Sequence, residues 1–238
     1  MKKYNILLCL TGTILKGILF FAGGCSISTS VNAQKETYNW HFGNNNFISF
    51  VSGTPVVLPG CAINQNLQEG CSDMSDAAGN VLFYTDGSNV WNSNNTVMLN
   101  GSGLLGNYSS TQGALIVPKP GNVAQYYVFS LEDIGTTNNI LRFSLVDMTL
   151  SGGSGDVVSS QKNIFVADSM TEKQVVVKHS NGIDYWLVTH KRTSDEFQCY
   201  LITPAGISAA PVSSYIGSAI LHDDAVGGSF VHFRSFRQ

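Results

Sequence analysis

The chain has 238 residues, of which 12% are charged and 43% hydrophobic, where soluble proteins average about 25% charged. So much apolar material builds a sizeable core and excludes intrinsic disorder. A net charge of −3 excludes the basic field expected of a nucleic-acid binder.

Lys2 and Lys3 form a short positive head before a mostly apolar run, 6–25, broken by Thr11, Thr13 and Lys16. Val31-Asn32-Ala33 then offers the small residues that a signal peptidase reads. This is the three-part pattern of a secretory signal peptide over residues 1–33, cleaved after Ala33. A transmembrane anchor is disfavoured, because a charge such as Lys16 at mid-bilayer costs about 2.5–3.5 kcal/mol on insertion scales. The mature chain is therefore expected to have no membrane span. A second processing reading competes. Phe21-Ala22-Gly23-Gly24-Cys25 is a weak lipobox, in which Cys25 would be lipidated and the protein tethered to a membrane. Cleavage after Ala33 removes Lys2, Lys3 and Lys16, leaving 10 basic against 16 acidic residues and a charge of −6.

Three cysteines follow the leader: Cys61, Cys71 and Cys199. An exported protein is permitted disulfides. Cys61 and Cys71 flank the turn-like Asn64-Gln65-Asn66 and are a candidate bridge, on compartment alone. Cys199 lies in an apolar strand pattern and reads as a small buried thiol. No Cys-x-x-Cys or His-rich spacing occurs, so neither a metal site nor a cofactor is expected.

Short runs of Val, Ile, Phe, Tyr and Trp, separated by Gly, Asn, Pro and Ser, predict an all-β chain. One or two strands fall within 38–58. The clearest strands, 81–85, 126–130 and 185–189, are apolar on both faces, so each must be covered on both sides. Each follows a tight turn, at Gly79-Asn80, Gly121-Asn122 and Asn181-Gly182, where Asn and Gly accept a positive φ. Apolar strands at 114–117 and 175–177 precede two of these turns. Alternating strands follow, with Leu141, Phe143 and Leu145 on one face and then Phe197, Cys199 and Leu201. More polar strands are expected at 157–166 and 211–216. The unit of four strands occurs at about 114–166 and 173–216, with a shorter version at about 70–105 where Asn89-Val90-Trp91 follows the buried strand. Tandem four-stranded antiparallel units are the mark of a β-propeller. The expectation is an incomplete propeller-like array of about three and a half blades over residues 34–238, with a β-sandwich as the competing architecture.

Several blocks carry a resemblance. They include Trp40-His41-Phe42-Gly43-Asn44-Asn45, Gly70-Cys71-Ser72-Asp73, residues 79–87 and Val90-Trp91-Asn92. Further on come Ser110-Thr111-Gln112, residues 116–121, Val146-Asp147-Met148, Glu172-Lys173 and Gly182-Ile183-Asp184-Tyr185-Trp186. As a set, across 38 to about 218, they resemble the N-terminal propeller region of large secreted proteins of gliding bacteria. Those proteins often end in a type IX secretion, gliding-motility-associated C-terminal sorting domain. The resemblance implies an exported or cell-surface protein with an adhesive role, and it brings no catalytic residues. No sorting domain is recognised here, which leaves the periplasm as the alternative compartment.

The candidate sites are few. His41, His179, His190, His222 and His232 are scattered. His190 lies near Ser194, Asp195 and Glu196, but no Gly-x-Ser-x-Gly accompanies it. His222-Asp223-Asp224 lacks a second ligand cluster. Asp76 to Asn80 lacks the alternating oxygens and distal Glu of a calcium loop and reads as a hairpin turn. Asp86-Gly87 reads as a turn pinned by its carboxylate. Trp91, Tyr185 and Trp186 could stack on sugar rings if exposed, but in apolar strands they read as core. Asp168-Ser169-Met170 resembles an O-glycosylation acceptor of the same bacterial group. The expected function is a secreted, non-enzymatic module for surface interaction or adhesion, with a protein or glycan partner. The alternative is a propeller hydrolase or lyase acting on glycans at a central channel.

Overall fold

The structure, a computed structural model, describes residues 35–63, 69–135 and 138–220. The leader with Cys25 and Ala33, the turn at 64–66, and His222-Asp223-Asp224 and His232 lie outside them. No helix among the described residues is long and apolar enough to cross a membrane.

The described chain is all-β. A three-stranded antiparallel sheet holds β1 (Asn39–His41), β2 (Asn46–Ser49) and β3 (Val56–Pro59). A meander follows: β4 (Ser72–Ser75), β5 (Val81–Thr85), β6 (Asn89–Asn92) and β7 (Val97–Ser102). The next is β8 (Ala114–Pro118), β9 (Gln125–Leu131) and β10 (Leu141–Asp147), with β11 (Asp156–Val157) and β12 (Ile164–Ala167) both pairing β10. The last sheet holds β13 (Met170–Lys178), β14 (Tyr185–Lys191) and β15 (Glu196–Thr203). In it β16 (Gly206–Ile207) and β17 (Val212–Tyr215) both pair β15. Gly79, Gly121 and Gly182 sit at φ +90°, +74° and +73°, the left-handed conformation that their hairpin turns require.

Two features differ from the sequence expectation. The polar strand drawn at 157–166 is broken. Its ends, β11 and β12, pair opposite ends of β10, and a 3-10 turn at Ser159–Gln161 bulges between them. The bulge is anchored where the Asn163 amide accepts from the Leu105 N–H (3.1 Å) and donates to the Gly103 carbonyl (3.0 Å). The middle meanders are also not separate sheets. One parallel bridge, Asp156 to Leu99, joins them in the order β4-β5-β6-β7-β11-β10-β9-β8. β8 returns against β4, and the Ile116 N–H donates to Ser72 Oγ at 3.1 Å. The eight-strand path is thus nearly closed and barrel-like.

The strands that read as apolar on both faces explain the packing. Along β9, Tyr126 and Val128 join Phe83 and Val90 in one cluster. Tyr127, Phe129 and Leu131 join Leu187, Tyr200 and Ile202 in another. β5 divides likewise: Phe83 enters the first of these clusters, while Tyr84 packs with Trp91, Cys61 and Ile63. β14 does not. Leu187 enters a cluster, but Trp186 and Val188 belong to none.

Neighbouring sheets meet along their first strands: β1 lies against β4, β4 against β8, and β8 against β13. Side chains tie these strands where no regular ladder runs between them. The His41 N–H donates to Asp73 Oδ2 (2.8 Å), and the Gln174 N–H to Gln112 Oε1 (2.7 Å). Between them the backbone is crowded. A Cβ at Gly106 would lie 2.5 Å from the Gly87 carbonyl oxygen. Gly106→Ala is therefore expected to cost about 1–3 kcal/mol in urea unfolding, as overpacking against rigid backbone does; an unchanged midpoint would contradict that crowding.

Candidate functional site

Three clusters come nearest to chemistry. The first joins β1 to the β4–β7 meander. The His41 ring stacks on Phe47 (centroids 4.8 Å, 10° between planes) and on Tyr84 (4.2 Å, 9°), and Tyr84 stacks on Trp91 (5.5 Å, 18°). His41 Nδ1 lies 3.1 Å from Asp73 Oδ2. The Tyr84 hydroxyl donates to Asn95 Oδ1 and accepts from the Ala62 N–H, both at 2.8 Å. Cys71 Sγ donates to the His41 carbonyl at 2.5 Å.

A cysteine, a histidine and an aspartate meet here, but not as a nucleophile and its base. Burial first, then the Asp73 charge, pushes the Cys71 thiol up to about 12, so at neutral pH it is a protonated donor. His41 is buried between two rings, so a substrate has no approach to it. Cys61, whose thiol is also raised by burial, packs in the same cluster. Both are free thiols in the structure. Cys71 is expected to resist iodoacetamide in native reduced protein at pH 8, and to react rapidly after unfolding. Peptide mass mapping over time reads this; equal native and unfolded rates would contradict the buried thiol.

The second cluster is built on Glu172, buried at the start of β13. One carboxyl oxygen accepts from the Thr111 N–H (2.9 Å) and hydroxyl (3.0 Å). The other accepts from the Ile134 N–H (2.7 Å). Arg192 Nη1 donates to the Ile134 carbonyl (3.2 Å) and to Asn139 Oδ1. A buried carboxyl held by donors from two loops of the preceding sheet is a fastener, and its hydrogen bonds are what make its burial tolerable.

The third surrounds His190. The structure does not bring the sequence candidates together. The ring is buried, edge-on to Phe197 at 4.4 Å, with Nδ1 2.7 Å from the Lys191 carbonyl. Ser194 Oγ accepts from the Glu196 N–H (3.1 Å). Glu196 in turn accepts from Gln198 (3.0 Å) and Ser213 (2.7 Å). Burial lowers the His190 pKa below its ordinary 6.5. The unfolded chain then binds the proton more readily, so stability is full at neutral pH and falls as pH drops through about 6.5. His190→Phe keeps a ring beside Phe197 and is expected to flatten that part of the pH profile of Tm; an unaltered profile would contradict the assignment.

Asp76 Oδ1 accepts from the Ala78 and Asn80 N–H groups, both at 2.9 Å, which makes the hairpin turn read from the sequence. Asp86 Oδ1 pins its turn through the Ser88 (2.8 Å) and Asn89 (2.7 Å) N–H groups. Ser169 is exposed in the turn between β12 and β13 at φ +56°. Among the described residues no group of three or more His, Cys, Asp or Glu is placed to hold a metal ion.

Sequence reasoning missed the outer faces of the first and last sheets. On the last, one row runs Val175, Val188, Cys199, Val212 across four strands. The next runs Val177, Trp186, Leu201. None of the seven belongs to any core cluster; Val212, at the edge, is 60% exposed, while Val188 is buried. Trp186 and Cys199, both expected in the core, are only half-buried for this reason. On the first sheet the row is Trp40, Ile48, Val57. Trp40 is 50% and Val57 66% exposed. The available signal was the unbroken apolar character of these rows, which reads the same whether or not a neighbour covers them. Compared with known protein families, curated proteins and solved structures, the chain matches none.

Proposed function

We propose that this protein is a secreted, non-enzymatic module built of propeller-like blades, which binds partners through its surface in adhesion or cell-envelope assembly. The blade reading is supported by four successive groups of antiparallel strands, the middle two joined by one parallel bridge, whose first strands neighbour one another in chain order. It is supported also by second strands that are apolar on both faces, as a sheet standing between two others requires. Export rests on the leader pattern of residues 1–33.

One observation carries the functional reading. The groups that could do chemistry, His41, Cys71, Glu172 and His190, are turned inward and engaged, while Trp40 and Val57 on the first sheet and Val212 on the last are half or more exposed. Exposed apolar area of that kind marks interaction surfaces. The experiment is a panel of glycosides, esters and polysaccharides incubated with purified protein. No turnover is expected, and binding to a surface glycan or protein is expected to survive substitution of His190 or Asp73. Turnover abolished by a single carboxylate substitution would replace this reading with the glycan hydrolase or lyase.

A further inference from the structure

We infer that Cys61 and Cys71 are a redox pair: a disulfide between them fastens the first sheet covalently to the β4–β7 meander. The inference uses the export proposed above only for the place where an oxidant is met, and its test does not depend on export.

The two thiols approach one short stretch of backbone from different elements. Cys61 follows β3, and its N–H donates to the Asn45 carbonyl at 3.3 Å. Cys71 immediately precedes β4. The Cys71 thiol donates to the His41 carbonyl at 2.5 Å. The Cys61 thiol hydrogen-bonds with the backbone of Ile63 and Gly43. His41 and Gly43 stand two positions apart in the chain, so the groups that anchor the two sulfurs are separated by about 7 Å at most. A disulfide joins Cα atoms about 4.4–6.8 Å apart, and rotation of two short side chains covers what remains. Both cysteines pack in one group with Tyr84 and Trp91. Cys199 lies in β15 of the last sheet and joins no core cluster, so it does not compete for either partner.

The bond would fall where the fold is held by scattered contacts. No ladder joins β1 to β4. Besides the Cys71 thiol, the ties are the His41 N–H on Asp73 (2.8 Å), the Asn39 amide on Ser75 Oγ (2.9 Å) and the Ser75 N–H on the Glu36 carbonyl (3.3 Å). Contacts of this kind open locally before the whole chain unfolds. A covalent link across the same junction suppresses that opening.

The structure holds both residues as thiols and is the reduced form of the junction. A thiolate, not a thiol, attacks a disulfide, so the bridge forms while the chain is unfolded or opened and both groups are ordinary cysteines. One cysteine thiolate attacks a low-molecular-weight disulfide, which gives a mixed disulfide and releases one small thiol. The second cysteine thiolate attacks the protein sulfur of that mixed disulfide and releases the second small thiol. The protein loses two electrons and two protons, and the reagent gains both. After folding, burial shields the bond from reductant.

The test refolds purified reduced protein from urea in mixed reduced and oxidised glutathione, with a second sample refolded in reductant. The oxidised sample is expected to lose the mass of two hydrogens, to yield a peptide joining Cys61 to Cys71, and to leave Cys199 open to alkylation. Its unfolding equilibrium constant in urea is expected to be about thirtyfold or more smaller than that of the reduced sample, the usual effect of a disulfide. Amide exchange in β1–β3 is expected to slow more than exchange in β13–β15. Cys71→Ser is expected to abolish the difference between the two samples, and Cys199→Ser to preserve it. Alkylation of both Cys61 and Cys71 after oxidative refolding would overturn the inference. So would a bridge that uses Cys199, or equal urea midpoints for the bridged and reduced samples. None of these outcomes touches the surface-binding reading, which falls only on turnover in the substrate panel.

Discussion

Phe129→Ala is expected to lower the unfolding free energy by about 3–5 kcal/mol, the usual cost of deleting a fully buried aromatic ring. Phe129 is completely buried in the middle of β9, between the β8–β10 strands and the last sheet. Its ring lies near Tyr127 (6.4 Å) and edge-on to Phe143 (6.4 Å), so the void opens in a dense aromatic group that collapses poorly. Equilibrium urea unfolding of wild type and variant measures the difference. A loss below about 1 kcal/mol would mean that β9 is not sandwiched, since half-exposed sites lose little on truncation.

Glu172→Ala is the second large effect, expected at about 2–5 kcal/mol because buried donors lose their acceptor. Three donors are affected: the Thr111 N–H and hydroxyl, and the Ile134 N–H. These bonds tie β13 to both loops that flank the β8–β9 hairpin, so the loss is expected to loosen the last sheet first. Amide exchange should speed in β13–β15 before it speeds in β4–β6. Glu172→Gln retains one carbonyl acceptor but turns an NH₂ toward existing donors, so it should fall between Ala and wild type. If Gln and Ala cost equally little, the carboxyl is not a fastener.

The strands at the centre of the array were legible because their chemistry is redundant. β9 and β14 each follow an Asn-Gly-rich turn and are apolar at every position that a sheet could bury. Asp76 and Asp86 were legible as turn carboxylates, since a short acidic side chain before Gly or Asn has few other uses. What sequence could not supply is who sits opposite. Tyr127 and Trp186 occupy similar strand contexts, yet a following sheet covers the first and no described element covers the second. His41 illustrates the same limit: its place between Phe47 and Tyr84 depends on the meeting of two sheets, which no local pattern encodes. The break at 157–166 also escaped, because Asn163 adopts a positive φ to reach Gly103 and Leu105, partners far away in sequence. The candidate site was the least legible part. His190 reads as a strand-end histidine near a serine and two acids, and only the fold shows those groups spent on local hydrogen bonds.

The three tryptophans of the chain stand in contrasting places. Trp91 is buried in the ring stack, Trp40 is half-exposed on the first sheet, and Trp186 is half-buried on the last. Hydroxyl-radical footprinting resolves each by peptide mass. Trp40 should oxidise readily and Trp186 measurably, while Trp91 stays protected. Trp40 and Trp186 as protected as Trp91 would contradict the exposed apolar side chains of the outer sheets, and with them the surface role built on them.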